Sequence, residues 1–257
     1  MDAENRQLID NYIANVYKRL TQPDPKITKS LCIGTPFYEH KAFSPYIASL
    51  VRLLQCCAAA NIPVSSVNVD GDSFIDRSRN TIIYMFLESG ATDLLWIDSD
   101  ESWDTEGAFN LIRSPEDVVC AGYPNKNIWG EMGIVPKIYD GKLVPNLYGQ
   151  IEIERGIGGF MRVRRHVFDQ IIAADPTLFY FDTGTHQPGP FYDFYGPIQD
   201  YENGVIIRDD WAFFRRWQNR GGKIWCHPDI TITHYGTEGK KGNYKEWLVK
   251  RSKGETA

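Results

Sequence analysis

The chain has 257 residues, 42% hydrophobic and 13% aromatic, enough to build a real core, so disorder is not the default. Its formal net charge of −5 makes it a poor general binder of nucleic acid and leaves only a local basic patch for that role. No apolar run approaches a membrane span, MDAENRQLIDNY lacks the pattern of a signal peptide, and Cys32, Cys56, Cys57, Cys120 and Cys226 form no CxxC; a soluble, cytoplasmic protein with reduced thiols is expected.

Leu8, Ile9, Tyr12, Ile13, Val16, Tyr17 and Leu20 recur at helical spacing, which predicts an amphipathic helix over 3–20 that packs on the body. TQPDPK ends it, so 1–27 reads as a helix and linker. SLCIGTPFY then reads as a first core strand and loop, and Ser44-Pro45 opens a helix over 44–60. IPVSSVNVDG is a second strand, SRNTIIYMFLES a helix stopped by Gly90, and TDLLWID a third strand. Strands alternating with helices predict an α/β domain with a mixed, mostly parallel sheet flanked by helices. Such sheets bind ligands beyond the carboxyl ends of their strands.

Further on, DVVCAGYPNKN reads as a strand and loop, and 128–154 as short β pieces between Gly and Pro. GIGGFMRVRRHVFDQII runs from a glycine-rich start into a strand and a helix. Residues 179–204, crowded with aromatics, Gly and Pro, read as a long loop. RDDWAFFRRWQNRGG is a helix, KIWCHPDITITHYG one or two strands, and 237–257 a basic tail. No repeat or clear linker divides the body, which makes 28–236 a single domain.

Four features can carry chemistry. Asp98 and Asp100 follow an apolar run, Leu94 to Ile97; carboxylates at i and i+2 past a strand can share Mg²⁺ or Mn²⁺, or form a solvated acidic turn. Arg77 and Arg79 can grip a diphosphate or lie on the surface as a pair at a helix start. Asp209 and Asp210 suit a helix N-terminus, where one carboxylate satisfies the cap and a second can act as general base. His234 ends a strand alternating Ile and Thr, placed either as a structural side chain or as a metal ligand.

The order of these features resembles the nucleotide-sugar glycosyltransferases of the GT-A fold. The stretch RSRNTIIYMFLESGATDLLWIDSDESW is similar to the small soluble glycosyltransferase-like proteins of phages and large viruses, and the resemblance covers 28–236. It implies a metal, Mn²⁺ or Mg²⁺, held by Asp98, Asp100 and His234, with Asp98 also near the ribose. It implies a nucleoside diphosphate sugar, a UDP-sugar first, bound near Thr35, Pro36, Tyr38, Arg77 and Arg79. Asp209 and Asp210 take the place of the catalytic base, Asp210 being preferred, and Gly158 and Gly159 leave room for donor sugar or acceptor. The pair is Asp-Asp where the family more often has Glu-Asp, which leaves base and stereochemical outcome open. Glu101 has no counterpart.

The viral resemblance implies a hydroxymethylated base in phage DNA as acceptor and the host cytoplasm as location. The aromatics of 179–204 and a basic surface of Lys240, Lys241, Lys245, Lys250, Arg251 and Lys253 with Arg162, Arg164 and Arg165 would serve it. Packing of the loop on its own aromatics and a solvated terminal helix explain the same residues. Three rivals share the motifs. One is a haloacid-dehalogenase-type phosphatase with Asp98 as nucleophile, though its aspartate follows a first strand and gives His234 no role. The others are a nucleotidyltransferase and a GT-A-like module that holds nucleotide or glycan without turnover.

Overall fold

The computed structural model describes residues 30–126, 131–182, 189–236 and 239–254. The helix expected over 3–20 lies outside them. The first strands and helices are β1 (Leu31–Phe37), α1 (Ser44–Ala59), β2 (Val64–Asp70), α2 (Ile75–Ser89) and β3 (Asp93–Ile97). Pro45 sits in the first turn of α1, where its missing N–H has no carbonyl to serve. Gly90 ends α2 in the left-handed region at φ 74°, the conformation glycine adopts most easily. Every residue of β3 is buried, as in a strand covered on both faces. β1 pairs in parallel with both β2 and β3. At Gly34 a Cβ would lie 2.7 Å from Ile82 Cγ2, so this glycine lets α2 settle directly on the sheet.

β4 (Glu101–Trp103) and α3 (Thr105–Arg113) follow. The sequence reading did not single out α3; its signal is Asp104, whose carboxylate accepts from the Gly107 N–H at the helix start. Next come β5 (Val118–Ala121), β6 (Val135–Pro136), β7 (Ile151–Arg155), β8 (Phe160–Arg164) and α4 (Arg165–Ala174). The chain continues through β9 (Phe179–Asp182), β10 (Gly189–Tyr192), β11 (Ile198–Asp200), β12 (Val205–Ile207) and α5 (Asp209–Gln218). β13 (Trp225–His227), β14 (Thr231–Tyr235), β15 (Gly239–Asn243) and α6 (Tyr244–Ser252) complete it.

Eight strands form one sheet in the order β2-β1-β3-β8-β5-β13-β7-β6. It is mixed: β8 runs antiparallel to both β3 and β5, while β5 and β13 are parallel. One face is covered by α2, α4 and α5 through Ile82, Phe86, Phe168 and Phe213. The other is covered by α1 and α3 through Leu53, Leu111 and Ile112. Each such side chain contributes about 1.5–3 kcal/mol when fully buried. Because β8 is reversed, its amino end meets the carboxyl ends of β3 and β5. A second sheet, β15-β14-β4, stands at the same edge and carries Glu101 opposite His234.

Three sequence readings change. The segment 179–204 contributes strands to two antiparallel pairs, β9 with β10 and β11 with β12, and Phe191, Phe194 and Tyr195 are at most 1% exposed. Phe191, Tyr192, Phe194 and Tyr195 are core, with Tyr195 stacked on Phe213, while Phe179 and Tyr180 are only partly buried and Tyr201 is exposed, so the segment as a whole is not an open stacking platform. The boundary drawn at 236 falls inside a sheet: β15 pairs with β14, and Tyr244 of α6 is fully buried beside Trp247. Arg162 and Arg165 add nothing to a phosphate-binding surface. Arg162 is wholly buried and donates to the carbonyls of Leu111, Ser114 and Asp117. Arg165 donates to the carbonyls of Phe86, Leu87 and Ala91, satisfying the open end of α2. Among the described residues no helix is long and apolar enough to cross a membrane.

Candidate active site

The carboxyl ends of β1, β3 and β5 open on a cavity of about 460 Å³. Pro36 and Tyr38 form one side, Asp98, Ser99 and Asp100 the floor, and Tyr123, Lys126 and His234 the far side. The predicted residues Pro36, Tyr38, Asp98, Asp100 and His234 therefore meet, although they come from distant parts of the chain. Thr35 does not reach the opening: it is 3% exposed, and its hydroxyl hydrogen-bonds the Tyr46 phenol at 2.8 Å.

Arg79 is the centre of the charge arrangement. It is 3% exposed, and its Nη2 donates to both oxygens of Asp98 at 3.1 and 3.2 Å. Its Nε lies 3.5 Å from Asp210 Oδ1. The guanidinium also lies over the rings of Trp96 and Tyr195, at 5.0 and 5.6 Å from their centroids. Burial alone would depress its pKa, but the Asp98 and Asp210 charges hold it above its ordinary value. Arg79 is thus a fixed counter-charge beneath the site and not an exposed phosphate clamp. Arg77 faces elsewhere: it makes a bidentate pair with Asp72 at 2.7 and 2.6 Å.

Burial raises the Asp98 carboxyl, and Asp100 and Asp210 add to that rise against the opposing Arg79. Asp100 pairs with Lys126 and lies 3.7 Å from His234 Nε2. The other ring nitrogen, Nδ1, is 2.9 Å from the Pro124 carbonyl, which can only accept, so Nδ1 carries the proton and Nε2 presents its lone pair. Burial lowers the His234 pKa and favours the neutral ring. A ring oriented by a backbone carbonyl is the usual support of a metal-binding imidazole.

Glu101 is fully buried under this floor. Neither carboxyl oxygen makes a hydrogen bond of good geometry, although the Tyr123 hydroxyl lies alongside. Burial, then the Asp98 charge, push its pKa well above the carboxylate range, favouring the protonated form.

Gly158 and Gly159 make room for the site's own side chains and not for open ligand space. The Gly158 N–H donates to Asp210 Oδ2 at 2.8 Å, and a Cβ there would lie 2.6 Å from Oδ1. A Cβ on Gly159 would meet the Tyr123 hydroxyl and come within 2.6 Å of both Asp98 Oδ2 and Glu101 Oε1. Asp210 is consequently tied down by Arg79 and Gly158. Asp209 is different: it is exposed and sits in the left-handed region at φ 51°, a strained conformation for a residue other than glycine. Burial, then the Asp210 and Asp76 charges, raise its pKa.

Sequence reasoning missed Lys126, Tyr123 and Asp72. The signal for the first two was available in GYPNKN, a polar loop just past the buried strand β5. The role of Asp72 depends on Arg77 folding back on it, which no spacing rule gives.

Among the described residues no three His, Cys, Asp or Glu side chains are gathered as a ready-made metal cage. Asp98, Asp100 and His234 all line the cavity, but both oxygens of Asp98 already accept from Arg79, which leaves Asp100 and His234 as the pair better placed to ligate an ion. Two protein ligands suit Mg²⁺ or Mn²⁺, which commonly complete their shells with phosphate oxygens and water. The donor set therefore fits such an ion when a diphosphate accompanies it.

No family model matches the chain, and no curated protein matches it. Among solved structures, GalNAc-T7 with UDP, GalNAc and Mn²⁺ is similar at 11% identity and a TM-score of 0.45, over 91% of this chain and 53% of that one. A glycosyltransferase involved in glycosylation of the major capsid of PBCV-1 is similar at 13% identity and a TM-score of 0.32, over 56% and 65%. The mannosyltransferase PcManGT from Pyrobaculum calidifontis, in complex with GDP-Man and Mn²⁺, is similar at 11% identity and a TM-score of 0.33, over 66% and 55%. The chain thus spans between 53% and 65% of the length of these three proteins.

Proposed function

We propose that this chain is a glycosyltransferase that moves a sugar from a nucleoside diphosphate sugar, a UDP-sugar first among them, to a hydroxyl acceptor. The observation that carries the reading is the meeting of Asp98, Asp100, His234 and the Arg79–Asp210 pair at the carboxyl ends of the sheet. Asp100 and His234 would hold Mn²⁺ or Mg²⁺, with Asp98 beside them. When bound, the ion supplies Lewis-acid neutralisation of the departing diphosphate.

The protein's own residues do the rest. Lys126 sits at the cavity beside Asp100 and suits a phosphate oxygen. Pro36 and Tyr38 offer the apolar side against which a nucleoside lies. Arg79 fixes Asp98 and Asp210 so that neither moves as the glycosidic bond breaks. Of the acidic pair, Asp210 is the positioning group and Asp209 the freer carboxylate. Asp209, with its raised pKa, suits removal of the acceptor proton, a step worth about 10²–10⁴-fold.

The phosphatase reading loses ground on one observation: both oxygens of Asp98 are engaged by Arg79, which leaves a poor nucleophile. A phosphoenzyme trapped on Asp98 would restore it. A thermal-shift and hydrolysis screen of nucleotide sugars with and without Mn²⁺ tests the proposal, because a specific ligand raises stability by mass action. At least one donor is expected to raise the melting temperature only with metal and to be hydrolysed. Binding without hydrolysis would favour the non-catalytic module, pyrophosphate release the nucleotidyltransferase, and no response to any donor would sink the reading.

A further inference from the structure

The first turn of α2 is a ridge between two cavities. Ser73, Ile75 and Ser78 line the one already described, while Phe74, Asp76, Arg77 and Asn80 line a second of about 470 Å³. The opposite wall of the second comes from 177–180 and from Asp182 and Asp193. Nothing in the transfer chemistry above uses it.

Its chemistry is distinctive in three respects. Phe74 is 61% exposed at the rim, and Phe179 and Tyr180 add aromatic surface across from it. Its charge is one-sided. Asp76, Asp182 and Asp193 line it, and among its described lining residues the one cation, Arg77, is already held bidentately by Asp72. The nearest compensation for Asp193 is Arg216, 3.9 Å away and outside the lining. Finally, its floor is preset. Asn80 is 3% exposed, donates to Asp193 at 3.0 Å, and accepts from the Phe194 and Tyr195 N–H groups at 3.0 and 3.2 Å. A side chain with its amide committed at both ends cannot swing to fill the space.

A polyanion entering here would meet three carboxylates and, among the described lining residues, no uncommitted cation, an arrangement that repels it. An uncharged polyol meets acceptors for its hydroxyl protons and aromatic faces for its C–H surface. We propose that this second cavity binds a neutral glycan and, resting on the transfer reading above, that it holds the acceptor. The two cavities share the start of α2, so a glycan held here lies next to the cavity assigned above to the donor. On this proposal the acceptor class is a carbohydrate hydroxyl, in place of the hydroxymethylated DNA base implied by the viral resemblance.

The test uses the full chain on an array of neutral oligosaccharides, with hydroxymethylcytosine duplex DNA as the charged probe at about 0.15 M salt. At least one oligosaccharide should bind, Phe74→Ala and Tyr180→Ala should each weaken it by about tenfold or more, and the DNA should not bind. Phe74 is mostly exposed, so Phe74→Ala should melt like the parent, and Asp76→Asn provides a second variant that keeps the shape. Absence of any oligosaccharide binding, binding untouched by all three substitutions, or tight DNA binding overturns the proposal. A nucleotide-sugar melt with Mn²⁺ on the same sample separates the two readings. A donor response without glycan binding removes only the acceptor cavity, whereas glycan binding lost in Phe74→Ala without any donor response removes only the transfer chemistry.

Discussion

Replacing Arg79 by methionine tests the centre of the site most directly. The side chain is buried and bridges Asp98 at 3.1 Å and Asp210 at 3.5 Å. Methionine fills much of the volume and keeps contact with Trp96 and Tyr195, so the lost interaction is mainly electrostatic. Removing one partner of a buried pair costs about 3–5 kcal/mol, because the other charge stays behind without a counter-ion. That is a large part of the roughly 5–15 kcal/mol of a typical domain. At this chain length each kcal/mol moves the midpoint by about 2–4 °C, so the melt should fall by about 6–20 °C. The loss should also depend on pH. Burial already raises the Asp98 carboxyl, and Arg79 is the main force holding it down. Without Arg79 the folded-state pKa rises further above the unfolded one, so the folded variant binds extra protons as pH falls and recovers stability. The deficit should therefore be smaller near pH 5 than near pH 8. Melts of Arg79→Met, Asp98→Asn and the double variant at both pH values measure it, and the double variant should recover part of the loss. A deficit under about 1 kcal/mol, or one equal at both pH values, would refute the account of Arg79 as a buried counter-charge.

Further outcomes follow from neighbouring residues. Folded Glu101 keeps its proton above its ordinary value of 4.5, so wild-type stability declines as pH rises from there through the raised value, by up to about 1.4 kcal/mol per pH unit. Glu101→Gln cannot ionise and should gain on the wild type with rising pH; a melt difference flat from about pH 4 to pH 9 contradicts this. Gly158→Ala places a methyl 2.6 Å from Asp210 Oδ1 and should destabilise by about 1–3 kcal/mol, with relief when Asp210→Ala is added. Additive losses would show that the clash is not with Asp210. Tyr244→Ala, in a fully buried position, should cost about 3–5 kcal/mol in a denaturant titration. A residue of a detached tail would instead show almost none. Asp100→Asn or His234→Ala should lower Mn²⁺-dependent donor hydrolysis by about 100-fold or more, and retention of both rate and metal dependence would dismiss the pair as ligands.

The alternating strands and helices of the first half were readable because each carries its own punctuation: Pro45 at a helix start, Gly90 at a helix end, the apolar run Leu94 to Ile97 in β3. Asp98, Asp100 and His234 stood out as candidates because they are polar groups set in or just past apolar strands, and all three line one cavity. Less legible was anything decided by a partner far along the chain. Arg79 looks like Arg77 in the sequence, yet one is buried against Asp98 and the other is turned to Asp72. The aromatics of 179–204 look like a sticky loop until Phe168 and Phe213 are placed against them. Arg162 and Arg165 look like surface cations because sequence does not show the open carbonyls that surround them. Glu101 had no assignment for the same reason: its burial follows from β4 pairing with β14, which is set by residues more than a hundred positions later.

The reversed strand β8 and the late strand β14 also fix the order in which this pocket can come into being. Arg79 and Asp98 are 19 positions apart and can meet early, but Gly158 meets Asp210 across 52 positions and Pro124 meets His234 across 110. Closing longer loops adds little to the equilibrium penalty but slows the search. A chain halted on the ribosome before residue 234 therefore contains the whole aspartate motif and most of the large sheet, but lacks one wall of the cavity. Completion of this cavity is therefore a late event in folding, reached only once β14 has been made and docked against β4.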